Sequence, residues 1–89
     1  MSGEIQRSNE VLTASVDDML MMLSVKQGRY YGLKGVGPRI WELLEQPATQ
    51  AGIVAQLLAE FEVPPGLCAE QVAGFVDRLR QRGLLIDLG

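Results

Sequence analysis

The sequence predicts an α+β protein, in which an N-terminal three-stranded antiparallel meander precedes three helices. Residues 10–34 contain β-branched and apolar segments that partly alternate with polar residues, which is typical of strands. From residue 36 to residue 82, apolar residues recur at the 3.6-residue spacing of helices. The glycine-rich stretch between these halves, with Gly32, Gly35 and Gly37, predicts a tight strand-to-helix corner.

Composition indicates one folded domain outside the membrane. The chain has 89 residues, of which 47% are apolar and 21% are charged, a balance that supports a single modest core. The longest apolar run, Met19–Leu23, is much shorter than the ~20 residues of a membrane-spanning helix. Residues 1–9 are polar and lack the apolar stretch of a signal peptide, so we expect a cytoplasmic protein.

The residue types that most often carry catalysis and metal binding are scarce. Histidine is absent, and Cys68 is the single cysteine. The chain therefore lacks the commonest general base, the usual partner of a nucleophilic serine and the usual ligands of zinc. The sequence predicts a protein that is not an enzyme and has no cofactor, metal or catalytic residue.

The first half of the chain is expected to form a disordered tail and then the meander. Residues 1–9 show no periodic pattern and are predicted to be the tail, with the folded domain at residues 10–89. Glu10–Val16 is the first predicted strand, and Asp17-Asp18 is a turn. The second strand, Met19–Val25, is apolar on both faces. Either the helices or the tail cover the second face, or that face binds a partner.

The third predicted strand, Arg29–Lys34, follows a hairpin connection at Lys26-Gln27-Gly28. If consecutive strands pair in order, this strand lies at an edge of the sheet, unless Leu84–Leu88 or another chain pairs with it. Unpaired N–H and C=O groups at such an edge are a template for an incoming strand.

Three helices are predicted behind the meander. The first runs from about Val36 to Gln46, and the second begins near Thr49, a plausible N-cap. Residues 63–66 contain two prolines and end the second helix. The third runs from about Cys68 to Arg82, with Gly83 as its C-cap. This order is winged helix-turn-helix-like and leaves a groove between the third strand and the third helix.

The corner between strand and helix carries a family signature. Residues 28–33 read Gly-Arg-Tyr-Tyr-Gly-Leu, and residues 37–44 read Gly-Pro-Arg-Ile-Trp-Glu-Leu-Leu. Together they closely resemble the motif of the PqqD-like proteins, and the resemblance extends over about residues 10 to 88. One position departs from the family pattern: Lys34 stands where asparagine or aspartate is usual. The resemblance therefore predicts the fold more firmly than it predicts ligand specificity.

This resemblance implies a peptide-binding function without catalysis. PqqD-like domains bind the N-terminal leader of a ribosomally made precursor peptide and present it to a partner enzyme. The size of the chain is similar to that of the recognition proteins of lasso peptide clusters, which act beside a separate cysteine protease. It is also similar to that of stand-alone PqqD, which serves a radical SAM enzyme. Of the two contexts, the lasso peptide system is favoured.

The expected binding mode is strand addition. A leader peptide would lie along the third predicted strand as a fourth strand, and the third helix would contact alternate leader side chains. Tyr30 and Tyr31 either cap the sheet or contact the peptide. The candidate peptide-binding residues are Arg29, Tyr30, Tyr31, Gly32, Leu33, Lys34, Val72, Phe75, Val76, Arg78, Leu79 and Arg82.

Two other functions remain open. Arg78, Arg80 and Arg82 cluster near the end of the third helix, as in a winged-helix DNA-binding protein, but the net charge of −3 disfavours nucleic acid. The chain is also expected to be a monomer or a dimer formed by strand exchange, and a pure dimerisation module is the other alternative.

Overall fold

The computed structural model describes residues 3–88, and these residues form five strands and three helices. The sequence expectation of an α+β fold, with a three-stranded antiparallel meander before three helices, is confirmed. The elements in chain order are β1 (Ile5–Arg7), β2 (Val11–Val16), β3 (Met19–Ser24), β4 (Arg29–Leu33), α1 (Gly37–Leu43), α2 (Gln50–Glu60), α3 (Pro65–Gln81) and β5 (Leu85–Asp87).

The meander is the sheet β2-β3-β4, in which β3 is central. Its register places Met21 opposite Gly32 and Leu23 opposite Tyr30. The C-terminal strand β5 pairs with β1 in a separate two-stranded sheet, not with β4. Within residues 3–88, β4 is therefore hydrogen-bonded to a strand on one side alone.

The N-terminal segment is more ordered than the sequence predicts. The expectation of a disordered tail at residues 1–9 is wrong for Ile5–Arg7, while Met1 and Ser2 lie outside the described residues. Ile5 is buried and exchanges two backbone hydrogen bonds with Ala48, at 2.8 and 2.9 Å. The backbone N–H of Arg7 also donates to the carbonyl of Leu44, at 2.9 Å. A three-residue strand is too short to show a periodic pattern, and tertiary contacts stabilise it.

The helix ends follow the expected capping chemistry, with two shifts in position. The Thr49 hydroxyl caps α2 by accepting from the N–H of Gly52, at 3.0 Å. The first helix ends at Leu43, earlier than expected. The third begins at Pro65 because proline lacks only an N–H that the first helical turn leaves unpaired. Gly83 terminates α3 with φ +71°, a conformation that favours glycine.

The helices cover one face of the meander and enclose the core. Met22 on β3 is fully buried, and Trp41 on α1 is 2% exposed. The face of β3 that carries Met22 thus packs against the helices. The other face includes exposed apolar side chains on the flanking strands, such as Leu12 and Tyr30, so neither the helices nor the described part of the N-terminus covers it. The buried apolar residues are Ile5, Met22, Ile40, Trp41, Leu44, Ile53, Leu57, Cys68, Val72, Phe75, Val76, Leu79 and Leu84.

Candidate functional site

A surface groove of about 950 Å³ lies between β4 and α3. We call it the β4–α3 groove. One wall is the end of β4, the other wall is one side of α3, and the strand-to-helix corner joins them. The lining residues are Gly32, Leu33, Lys34, Gly35, Val36, Gly37, Ile40, Glu70, Gln71, Gly74, Phe75, Arg78, Leu79 and Arg82.

The corner holds the two walls together through close backbone packing. A side chain on Gly37 would place its Cβ 3.2 Å from Cε2 of Phe75 and 3.3 Å from Cβ of Leu33. Glycine therefore lets the start of α1 contact both walls. The corner has no side-chain cap at Val36, and the N–H of Gly37 donates instead to the carbonyl of Lys34, at 3.1 Å. Gly35 adopts φ +64°, so a glycine and a backbone hydrogen bond shape this corner.

The third helix presents different residues to the core and to the groove. Val72 and Val76 are 1% and 0% exposed and do not line the groove. Neither side chain is accessible to a peptide in the groove, so the structure does not support their expected peptide-binding role. The apolar stripe that suggested both residues packs into the core. Phe75 and Leu79 are largely buried and line the groove as well. The exposed groove row contains Glu70, Gly74, Arg78 and Arg82, at four-residue spacing, and the exposed Gln71 lies beside it in the groove.

The candidate residues from Arg29 to Lys34 divide along the chain, because the groove borders the C-terminal end of β4 and the residue after it. Gly32, Leu33 and Lys34 line the groove, whereas Arg29 and Tyr30 do not, and Tyr30 is 71% exposed. The half-buried Tyr31 lies beneath Arg82, whose guanidinium carbon is 4.8 Å from the ring centroid.

A small side-chain network fastens the β3–β4 turn to the end of α3. The Tyr31 hydroxyl donates to Oε1 of Gln27, at 3.1 Å, and Nε2 of Gln27 donates to the backbone carbonyl of Arg82, at 2.5 Å. These contacts, together with the cation–π contact of Arg82, position the side of the groove near the C-terminus of α3.

The three arginines at the end of α3 do not act as one basic patch. Nη2 of Arg80 lies 2.8 Å from Oδ1 of Asp87, and this hydrogen bond lowers the pKa of that carboxyl. Arg80 also contacts Asp77, at 3.3 Å. Arg78 and Arg82 instead face the groove. This separation disfavours a DNA-binding surface that uses all three arginines.

The described residues show neither a metal centre nor a membrane span. Across residues 3–88, no cluster of three or more potential side-chain ligands is placed to hold a metal ion. No helix in this range has the length and apolar character needed to cross a bilayer.

Sequence reasoning missed half of the groove. Glu70, Gln71 and Gly74 on α3 were not predicted, because the apolar residues that suggested the α3 candidates mark the buried side of a helix. The four-residue spacing of Glu70, Gly74, Arg78 and Arg82 could have indicated that these residues lie on one face of the helix.

Comparisons with known proteins agree with this architecture. The family model described as coenzyme PQQ synthesis protein D (PqqD) matches residues 8–85. A solved structure described as TbiB1 in complex with the TbiA(beta) leader peptide has a TM-score of 0.81 and 32% sequence identity, over 94% of this chain and 98% of that chain. A second, described as lasso peptide synthetase B1 complexed with the leader peptide, has a TM-score of 0.78. It shares 22% identity over 92% of this chain and 96% of that chain, a level that supports the fold alone.

No protein with a curated description is significantly similar to this chain in sequence. The family model nevertheless spans most of the chain, and the similar TbiB1 structure exceeds 30% identity over nearly its whole length. The motif that suggested the family, residues 28–44, forms β4, the corner and the start of α1 beside the groove. The chain therefore belongs to the PqqD family.

Proposed function

We propose that this protein binds the leader segment of a ribosomally made precursor peptide in the β4–α3 groove and presents it to a partner enzyme. The observation that carries the proposal is the position of β4, which has an unpaired edge within residues 3–88 and borders the groove. A peptide in extended conformation would add to that edge as a fourth strand of the meander. The similar TbiB1 structure, described as a complex with a leader peptide, supports this assignment.

Specificity would come from the side of the groove opposite β4. Main-chain hydrogen bonds to β4 do not depend on the leader sequence, so side-chain contacts to α3 must select it. The largely buried Phe75 and Leu79 provide apolar surface, and Arg78 provides a positive charge for leader carboxylates. Because a disordered leader loses conformational entropy on binding, we expect an affinity in the nanomolar to micromolar range.

The partner enzyme follows from the biosynthetic context. In a lasso peptide pathway, the context that the sequence motif favours, the partner is a cysteine protease. The PqqD family model supports the alternative of a peptide chaperone for a radical SAM enzyme. In both cases the chain acts in the cytoplasm as a protein without chemistry of its own, and as a monomer or a strand-exchanged dimer.

The test is a peptide titration that identifies which backbone N–H groups of the peptide are needed for binding. A fluorescein-labelled peptide with the TbiA(beta) leader sequence, and peptides selected on this protein from a randomised display library, are titrated by fluorescence anisotropy. Each amide of a bound peptide is then N-methylated in turn, which removes one N–H donor. Because alternate N–H groups of a strand face its neighbour, we expect losses of affinity at every second position.

Several results would contradict strand addition. They are a complete failure of peptides from both sources to bind at 100 μM protein, losses without alternation, and unchanged affinity in a folded Gly32→Pro variant. Tight binding to duplex DNA with a steep salt dependence would favour the DNA-binding alternative. A dimer that saturating peptide leaves unaffected, measured by size-exclusion chromatography, would favour a dimerisation module.

A further inference from the structure

Gly74 has no structural explanation within the fold. It lies in the interior of α3, where glycine is less favourable than every residue except proline. It is not among the described glycines with positive φ. A Cβ built on Gly74 meets no atom within 4 Å, so close packing does not require glycine either. Gly37, by contrast, has atoms of both groove walls within 3.3 Å of its Cβ position.

The groove supplies the missing explanation. Gly74 lines the groove one helical turn from Glu70 on one side and from Arg78 on the other. Without a side chain at position 74, the α3 wall has a gap between Glu70 and Arg78, which we call the Gly74 notch. Gln71, three residues before Gly74, also lines the groove and borders this gap. Phe75, the next residue, lines the same groove and keeps 8% of its surface exposed. The notch therefore combines open space, nearby apolar surface and a charged residue at each end.

We propose that Gly74 is a specificity-determining residue, whose missing side chain lets the notch accept one large apolar side chain of the bound peptide. This inference rests on the proposed peptide-binding function and deepens it. A side chain in the notch would contact apolar groove atoms and the exposed helix backbone, and Glu70 and Arg78 would limit its position along α3. Burial of a large apolar side chain is expected to contribute on the order of 10- to 100-fold in affinity.

Substitutions at Gly74 separate this role from a structural one. Gly74→Ala and Gly74→Leu improve helix propensity and have open space for the new Cβ, so both variants should remain folded. We expect Gly74→Ala to raise the urea midpoint, followed by Trp41 fluorescence, by about 0.5–1 M. Peptide affinity should fall as the side chain at position 74 becomes larger. Gly74→Leu should bind peptides selected on the wild type at least 10-fold more weakly than the wild type does.

Gly66 provides the matched control. It also lies in α3, its Cβ position also has no neighbour within 4 Å, and it does not line the groove. Gly66→Ala should therefore change peptide affinity less than twofold.

The decisive experiment is a double-mutant cycle with peptides from a randomised 12-residue display library, selected on the wild-type protein. Selected peptides should share one large apolar residue. Its replacement by alanine should weaken binding at least 10-fold to the wild type but less than threefold to Gly74→Leu, because the notch is already filled. Equal losses on both proteins, or unchanged affinity of Gly74→Leu, would overturn the Gly74 inference.

The same experiment distinguishes failure of the inference from failure of the proposed function. If selected peptides show the alternating N-methylation pattern but are insensitive to Gly74, strand addition stands and the notch is refuted. If the wild type selects no peptide and the TbiA(beta) leader peptide does not bind at 100 μM protein either, both proposals are wrong.

Discussion

Replacement of Ile5 by alanine tests whether the N-terminal strand is part of the core. Ile5 is 3% exposed, and its two hydrogen bonds to Ala48 use backbone atoms that alanine retains. The substitution therefore isolates the buried side chain, whose truncation is expected to cost about 3 kcal/mol. A domain of this size has a free energy of unfolding of roughly 4–13 kcal/mol, so the effect is a large part of the total.

Urea denaturation followed by Trp41 fluorescence measures this effect. Trp41 is the single tryptophan and is 2% exposed, so its emission reports on the core. With a urea dependence of about 1–1.5 kcal/mol per M, the midpoint should fall by about 2–3 M. Ile86→Ala is the matched control, because Ile86 lies on the pairing strand β5 and is 42% exposed. Equal midpoint shifts in both variants would refute the assignment of Ile5 to the core.

Two further predictions concern charged side chains. Hydrogen bonds from Arg39, at 2.8 and 2.7 Å, lower the pKa of Glu60 from 4.5 to about 2, so the stabilisation is present above about pH 4.5 and is lost as the pH falls towards 2. The urea midpoints of Glu60→Gln and Arg39→Gln should therefore vary less between pH 4.5 and pH 2 than the wild-type midpoint does. The same pH dependence of the midpoint in the variants and the wild type would contradict this prediction. Arg78→Ala should weaken binding of a peptide carboxylate about two- to fivefold in anisotropy titrations and reduce its salt dependence. Arg80→Ala should leave affinity unchanged, because Arg80 pairs with Asp77 and Asp87, and equal losses in both variants would argue against a groove role for Arg78.

Local patterns in the sequence predicted most of the fold. The alternation in Arg29–Leu33, the N-cap at Thr49 and the C-cap at Gly83 each depend on a few neighbouring residues, and the structure contains all three. Strand β1 was not predictable in this way, since its three residues are stabilised by backbone bonds to Leu44 and Ala48, about 40 positions away, and by pairing with β5, about 80 positions away.

The groove was predicted only in part, because its residues also depend on tertiary packing. Placing it between the third meander strand and the third helix needed only the order of the elements. Choosing its residues on α3 needed the rotation of the helix about its axis, which follows from packing against the rest of the protein. Val72 and Val76 were therefore assigned to the wrong side, and Gly74 was missed.

The two-sided character of α3 has a consequence for how this protein can diversify. The row at Glu70, Gly74, Arg78 and Arg82 contacts the groove, while Val72 and Val76 hold the helix in the core. Under the proposed function, we expect mutations at Glu70, Gly74 and Arg78 to alter ligand choice with little effect on folding, whereas Arg82 also contacts Tyr31. If the groove binds peptides as proposed, library mutagenesis of these three positions is a direct route to recognition of other peptides.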